Sequence, residues 1–102
     1  MTYSLRYKVP MPIGMYDGLH AVVKETPGGQ DGIMVHLGWE TADGFEIIEI
    51  WESKDAYNKF VQDVWPQVVD RLGQGPIEPP HGEEFNLRGL GRVPTILNGG
   101  TG

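Results

Sequence analysis

A histidine and a glutamate, His36 and Glu49, are the residues of this chain best suited to acid/base chemistry. A carboxylate beside a histidine can hold one ring N–H and raise the basicity of the other ring nitrogen, which then takes up or returns a proton near neutral pH. Trp51 would add an apolar wall and a stacking surface. His36 and Glu49 are therefore candidate catalytic residues, and Trp51 is a candidate substrate contact. The alternative is that His36 and Glu49 only satisfy each other's hydrogen bonds, at a dimer interface or at its solvent-exposed rim.

The pattern of two successive segments places these three side chains together. Residues 33–39 alternate in the manner of a strand, and residues 41–44 (Thr-Ala-Asp-Gly) are typical of a turn that leads directly into a second strand. If the two strands pair across this turn, one face collects Ile33, Val35, Leu37, Ile48 and Ile50. His36 is then opposite Glu49 or Trp51, and in either register these three side chains share the other face.

Five further side chains are candidate substrate contacts. Asn86 and Arg88 share a face of the predicted last strand and could hold a carboxylate, phenolate or enolate oxygen; the alternative is a solvated edge strand. Tyr7 and Tyr16 could line the mouth of a pocket as hydrogen-bonding aromatics, unless they are ordinary core or interface residues. His20, one helical turn from Tyr16, could enter the same cavity or lie at the surface.

Six elements must position these residues, in the order strand, helix, strand, strand, helix, strand. Hydrophobic periodicity and turn residues predict them at residues 3–9, 13–25, 33–39, 45–52, 53–72 and 84–93. The second helix begins at the N-cap Ser53 and ends before Gly73, and Pro66 predicts a kink or a short break within it. This order is that of a ferredoxin-like βαββαβ fold of the α+β class, in which two helices cover one face of an antiparallel sheet.

Length and composition bound the classes of function. At 102 residues we expect one domain, over residues 1–94, followed by a flexible tail at 95–102. Fourteen acidic residues against 8 Lys and Arg leave a net charge of −6 without a basic cluster, which argues against a nucleic-acid partner. No apolar run approaches the roughly 20 residues of a membrane span. The start of the chain also lacks a signal-peptide pattern, so we expect a cytoplasmic protein that does not associate with a membrane.

No cofactor or metal ion is predicted. The chain has no cysteine, which excludes thiolate ligands, disulfides and a cysteine nucleophile, and its 3 histidines lack the close spacing of metal ligands. Glycine-rich phosphate and dinucleotide motifs are also absent from the sequence. Any chemistry is therefore expected to be that of the side chains themselves.

Residues 45–52 carry apolar side chains on both faces of their predicted strand. Since Ile47 and Trp51 share a face that Ile48 and Ile50 do not, packing against the helices covers only one of the two sets. A second copy of the chain is the simplest cover for the other set. We therefore expect a homodimer.

The segment that begins at Trp51 carries a family resemblance. Residues 51–60 read WESKDAYNKF and follow the run GFEIIEI at residues 44–50. This stretch resembles the Trp-x-Ser-x-x-Ala-aromatic-x-x-Phe signature of the dimeric α+β barrel superfamily, and it is most similar there to the antibiotic-biosynthesis monooxygenase family and its uncharacterised relatives. The resemblance covers about residues 31–73. It implies a homodimer with packed sheets, a ligand cavity in each subunit between the sheet and the helices, and Trp51 inside that cavity.

Three functions are consistent with these features. The first is a small cofactor-free enzyme of specialised metabolism, a cyclase, isomerase or lyase that performs acid/base chemistry on a hydrophobic polyketide-like or aromatic metabolite. The second, implied by the resemblance, is a cofactor-independent monooxygenase that uses Trp51 with Asn86 and Arg88. The third is a non-catalytic dimer that binds a small molecule. Haem degradation is disfavoured, because the histidine of such relatives lies on the second helix and residues 53–72 contain none.

Overall fold

The computed structural model describes residues 2–73, 75 and 81–91. Its strands are β1 (Tyr3–Val9), β2 (Ile33–Thr41), β3 (Gly44–Trp51) and β4 (Glu83–Phe85). Helix α1 (Ile13–Glu25) connects β1 to β2, and a second helical run of α2 (Lys54–Lys59), a π-helical turn (Phe60–Val64) and α3 (Trp65–Leu72) follows β3. None of the helices in these residues is long and apolar enough to span a membrane. The predicted tail at 95–102 lies outside the described residues.

The four strands form one antiparallel sheet in the order β2-β3-β1-β4. Strands β1 and β3 are its centre, and β2 and β4 are its edges. The protein therefore has an α+β fold, with an antiparallel sheet and two helical segments. This arrangement is compatible with a ferredoxin-like fold.

The core lies between one face of the sheet and the helices. Its buried sheet residues are Leu5, Tyr7, Phe45, Ile47 and Trp51. A second cluster, formed by Val64, Trp65 and Val68, joins the second helical run to α1. Because burial of apolar surface is the main driving force of folding, these two clusters fix the helices against the sheet.

The ends of the second helical run follow from local chemistry, as the sequence predicts. The hydroxyl of Ser53 accepts a hydrogen bond from the backbone N–H of Ala56 at 3.0 Å, which caps the first turn. The run ends at Gly73, whose φ of 68° is in the left-handed region that glycine tolerates.

The helical run changes its hydrogen-bond pattern next to Pro66, where the sequence predicts a kink or a break. Pro66 has no N–H to donate to the carbonyl of Gln62. Just before it, the N–H of Trp65 bonds to the carbonyl of Phe60, five residues back, which is the pattern of a π turn. The helix thus continues through the proline, and Trp65 and Val68, on either side of it, are both buried.

The predicted alternation is wrong at the start of β2. Ile33 pairs with Trp51, whereas Val35 pairs with Ile50, so one extra residue, Met34, interrupts the ladder. Such a bulge shifts the alternation by one residue. Ile33 therefore packs against the core on the helix side and does not share the outward face of Val35.

The last strand is shorter than predicted. The pattern over residues 84–93 predicts a long strand, but β4 ends at Phe85, and the described residues from 86 to 91 form no strand. Phe85 lies opposite Ser4, and β1 begins one residue earlier, at Tyr3. Residues beyond 86 therefore have no β1 partner with which to pair. Residues 92 and 93 of the predicted strand lie outside the described residues.

The outer face of the sheet, which faces away from the helices, carries exposed apolar side chains. Leu37 is 55% exposed and Trp39 is 40% exposed. Beside them, Arg6 forms an ion pair with Glu46, with a distance of 2.7 Å between Nη2 and Oε1. On β3, Ile48 and Ile50 share this outer face, so the strand carries apolar side chains on both faces, as the sequence predicts; Ile50 is buried there, whereas Leu37 and Trp39 on β2 are exposed.

Candidate functional site

A cavity of about 330 Å³ lies between the sheet and the helices. The three side chains that the strand pattern places on one face, His36, Glu49 and Trp51, all line it. His36 lies directly opposite Glu49 in the β2–β3 ladder, which is the first of the two predicted registers. The face that these residues share is therefore the one that the helices cover.

Glu49 is the centre of a hydrogen-bond network in this cavity. Its Oε1 accepts hydrogen bonds from the hydroxyl of Tyr7 and from Nε1 of Trp51, each at 3.1 Å. Its Oε2 lies 3.3 Å from Nδ1 of His36. The side chains of His36 and Glu49 are 25% and 16% exposed, so the network is shielded from solvent without being closed to it. Contacts with three neighbours hold the carboxylate in one orientation.

Tyr16, from α1, extends this network. Its hydroxyl lies 2.9 Å from Nε2 of His36. Nδ1–H of His36 is directed at Glu49. When the ring is neutral, Nε2 accepts a hydrogen bond from the hydroxyl of Tyr16; when the ring is protonated, Nε2–H donates a hydrogen bond to the oxygen of Tyr16. Tyr16, His36 and Glu49 therefore form a chain along which a proton can pass in either direction, and we call these three residues the proton chain.

Tyr16 reaches His36 because Gly38 leaves room for its ring. Gly38 lies two residues after His36 in β2 and therefore on the same face of the sheet. A Cβ at residue 38 would lie 2.7 Å from Cζ and 2.8 Å from the hydroxyl oxygen of Tyr16, closer than such atoms approach. Gly38 is not among the predicted site residues. The signal that could have found it is a glycine within an otherwise regular strand pattern, which often marks a close approach.

His20 is an exposed residue of α1 that lines the cavity next to the proton chain. The centroid of its ring is 5.4 Å from that of Tyr16 and 5.2 Å from that of His36. Desolvation is the largest cause that lowers the pKa of His20. The positive charges of His36 and Lys24 lower it further, while Asp17 acts in the opposite direction. His20 is therefore neutral at neutral pH.

The two tyrosines of the cavity keep their protons. Desolvation, followed by the negative charge of Glu49, raises the pKa of Tyr7 well above its ordinary value. Desolvation and then the charges of Asp17 and Glu49 also raise the pKa of Tyr16. Both hydroxyls are therefore protonated at neutral pH and available as hydrogen-bond donors.

The remaining surface of the cavity is mainly apolar and includes Trp51, Tyr57, Phe60 and Trp65. The ring of Trp51 lies 5.5 Å from that of Tyr57 and 5.4 Å from that of Phe60, centroid to centroid. Of these four, only Trp51 is among the predicted site residues. Their spacing places them on the buried stripe of a helix, and such a stripe does not reveal whether it borders a core or a cavity.

The structure brings most of the predicted site residues together, but not all. The six that line the cavity are Tyr7, Tyr16, His20, His36, Glu49 and Trp51. Asn86 and Arg88 do not line it: both are exposed and follow the short strand β4. The prediction that they share a face of the last strand is wrong, because that strand ends before them.

Within residues 2–73, 75 and 81–91, no group of three or more His, Cys, Asp or Glu side chains is arranged to hold a metal ion. His20 and His36 lie close together, but Nδ1 of His36 faces Glu49 and Nε2 faces Tyr16. Neither nitrogen of His36 is therefore directed at a position that it could share with His20.

Comparison with known proteins adds no family to this description. A scan against protein-family models finds no match for the chain, and a search of curated proteins finds none either.

Proposed function

We propose that this protein is a cofactor-free enzyme that performs acid/base chemistry, as a cyclase, isomerase or lyase, on a hydrophobic aromatic or polyketide-like metabolite. The observation that carries the proposal is the proton chain from Tyr16 through His36 to Glu49, which lies at one side of a mainly apolar cavity. A proton-transfer group beside an apolar binding surface suits a hydrophobic substrate with a carbonyl that can enolise.

The proton chain works through His36. Glu49, held by Tyr7 and Trp51, orients the ring through Nδ1 and stabilises the imidazolium that forms when Nε2 gains a proton. Nε2 exchanges that proton with the hydroxyl of Tyr16, 2.9 Å away. Tyr16 in turn donates to a substrate oxygen on which negative charge develops, and the apolar surroundings strengthen this hydrogen bond.

The shape of the cavity limits the substrate. Its volume of about 330 Å³ is at the lower end of the range of small-molecule sites. The rings of Trp51, Tyr57 and Phe60 provide surfaces on which a flat, unsaturated molecule stacks. A compact fused-ring molecule with one reactive oxygen fits these features.

Two alternatives have less support. A cofactor-independent monooxygenase would use Trp51 together with Asn86 and Arg88, and the last two are exposed outside the cavity. A protein that only binds a small molecule would need the aromatic surface but would have no use for the proton chain.

We also propose that the domain is ferredoxin-like and pairs with a second copy as a dimeric α+β barrel. The strand order supports this assembly, as do the exposed Leu37 and Trp39 on the outer face of the sheet. The resemblance of residues 51–60 to the superfamily signature points the same way. In such a dimer the cavity stays within one subunit, on the opposite side of the sheet.

The bicyclic ketone 2-tetralone tests the acid/base proposal. In D₂O, removal and return of its α protons replaces hydrogen by deuterium, which proton NMR follows. We expect the wild-type protein to accelerate this exchange above the rate in buffer. We expect His36→Gln to slow the protein-catalysed exchange by about 100-fold or more, the usual contribution of a general acid or base.

The matched control is His81→Gln, because His81 is exposed and does not line the cavity. This variant should exchange deuterium at the wild-type rate. Exchange no faster than in buffer would contradict the proposal. So would a His36→Gln variant that is folded, by circular dichroism, and still catalyses exchange at the wild-type rate.

A further inference from the structure

His20 borders the cavity, yet it takes no part in the hydrogen-bond network. Among the described residues, its side chain makes no hydrogen bond, although its ring lies 5.2 Å from that of His36 and 5.4 Å from that of Tyr16. Its ring nitrogens are therefore free to bind a ligand in the cavity. His20 and Tyr16 both line the cavity with their rings 5.4 Å apart, so one bound molecule can contact both side chains.

The two histidines stand in opposite electrostatic surroundings. Two imidazoles this close repel each other when both are positively charged. The carboxylate of Glu49 lies 3.3 Å from Nδ1 of His36, so a negatively charged group adjoins that ring. Lys24, one turn beyond His20 on α1, opposes a positive charge on His20.

The titratable and charged groups that face His20 are Tyr16, Asp17 and Lys24 from α1 and His36 from β2. Only Asp17 favours the protonated form, and desolvation, His36 and Lys24 outweigh it, so the pKa of His20 is lowered from the ordinary 6.5. His20 is therefore a free base near neutral pH.

We propose that His20 is the second catalytic residue of the cavity: it is the base that removes a proton from the carbon next to the substrate carbonyl, while the hydroxyl of Tyr16, backed by His36, is the acid. This inference rests on the proposed function and assigns the direction of proton transfer within it.

The step balances without an oxidant or a cofactor. A ring nitrogen of His20 takes the proton from carbon, and the electron pair of the broken C–H bond forms the C=C bond of an enol. The carbonyl oxygen takes the hydroxyl proton of Tyr16, which is replaced from Nε2 of the protonated His36. In a substrate with a C=C bond next to the carbon that loses the proton, this enol is a dienol. His20 returns its proton to the far end of the diene, a single C=C bond remains between the two central carbons, and the O–H bond pair re-forms the C=O bond. The oxygen's proton passes back through Tyr16 to His36. The net reaction is an isomerisation.

The first test is the titration of the histidine ring protons by NMR, with His20 assigned from the spectrum of His20→Gln. We expect a midpoint for His20 below 6.5 that rises in the His36→Gln variant, because that substitution removes a neighbouring positive charge. A midpoint at or above 6.5 overturns the inference, because His20 would not then be the free base.

The second test is deuterium exchange into 2-tetralone. We expect His20→Gln to lower kcat by about 100-fold with little change in KM, and to remove the fall in rate on the acidic side of the pH profile. His81→Gln again serves as the control. If His36→Gln stops the exchange while His20→Gln leaves it at the wild-type rate, the inference fails and the proposed function stands. If the wild type itself does not catalyse exchange, the proposed function fails and the inference fails with it.

Discussion

The ring of Tyr16 lies against the backbone of Gly38, so closely that a Cβ at residue 38 would stand 2.7 Å from Cζ of the tyrosine. The contact lets a helix side chain enter the sheet face and place its hydroxyl 2.9 Å from Nε2 of His36. A position without a side chain on one strand thus determines the geometry of the proton chain.

Gly38→Ala should therefore lower the activity of the protein while the protein stays folded. The added methyl group must displace Tyr16 from His36. We expect the rate of deuterium exchange into 2-tetralone to fall by about 10-fold or more, because moving a reacting group by about 1 Å lowers a reaction rate by at least that factor. The control is Gly18→Ala on α1, where a new Cβ meets no atom within 4 Å. That variant should exchange normally and be more stable by up to about 1 kcal/mol. Normal exchange by Gly38→Ala would show that Tyr16 does not need this position.

Tyr16→Phe removes the hydroxyl of the proton chain and keeps the stacked ring. We expect the exchange rate to fall by about 100-fold, because the proton no longer reaches the substrate oxygen. Tyr3→Phe is the matched control, since the hydroxyl of Tyr3 bonds to Glu84, which does not line the cavity. Equal exchange rates for the two variants would contradict a role for Tyr16 in proton transfer.

The half-buried phenol of Tyr3 and the buried phenol of Tyr7 predict a loss of stability at alkaline pH. Desolvation, followed by the hydrogen bond to and the charge of Glu84, raises the pKa of Tyr3 from 10.0 to about 12, and desolvation raises the pKa of Tyr7 further. From pH 10 upward the unfolded chain releases these protons before the folded protein does, so the free energy of unfolding falls. Tyr7→Phe should make the fall smaller. Urea unfolding of the wild type and of Tyr7→Phe, below pH 10 and near pH 12, measures the fall in the free energy of unfolding. An equal fall in the two proteins would contradict the prediction.

Leu37→Lys should separate the proposed dimer into monomers. It would bury a charge where two outer sheet faces meet, which an interface does not tolerate without a partner. Light scattering after size-exclusion chromatography should show twice the mass of one chain for the wild type and the mass of one chain for the variant. Met15→Lys, at a position on α1 that is 46% exposed, should remain dimeric. A monomeric wild type would overturn the proposed assembly.

The sequence by itself determines that His36, Glu49 and Trp51 share one face and that the partner of His36 is Glu49 or Trp51; the structure shows that it is Glu49. The register of a hairpin depends on residues close together in the chain, namely the alternating segments and the turn at residues 41–44. The same holds for the cap at Ser53 and the helix end at Gly73, where single residues satisfy the nearby backbone. These features could be predicted because their causes are local.

Only the tertiary structure decided which side chains complete the site. The contact of Tyr16 with His36 joins residues 20 positions apart and depends on the space left at Gly38, on a different element from the tyrosine. Arg88 lies outside the cavity because β4 ends before it. That end depends on where β1 begins, since a strand at the edge of a sheet cannot continue without a partner. Periodicity shows which residues of an element share a face, but the docking of one face on another depends on the volumes of side chains far apart in the sequence.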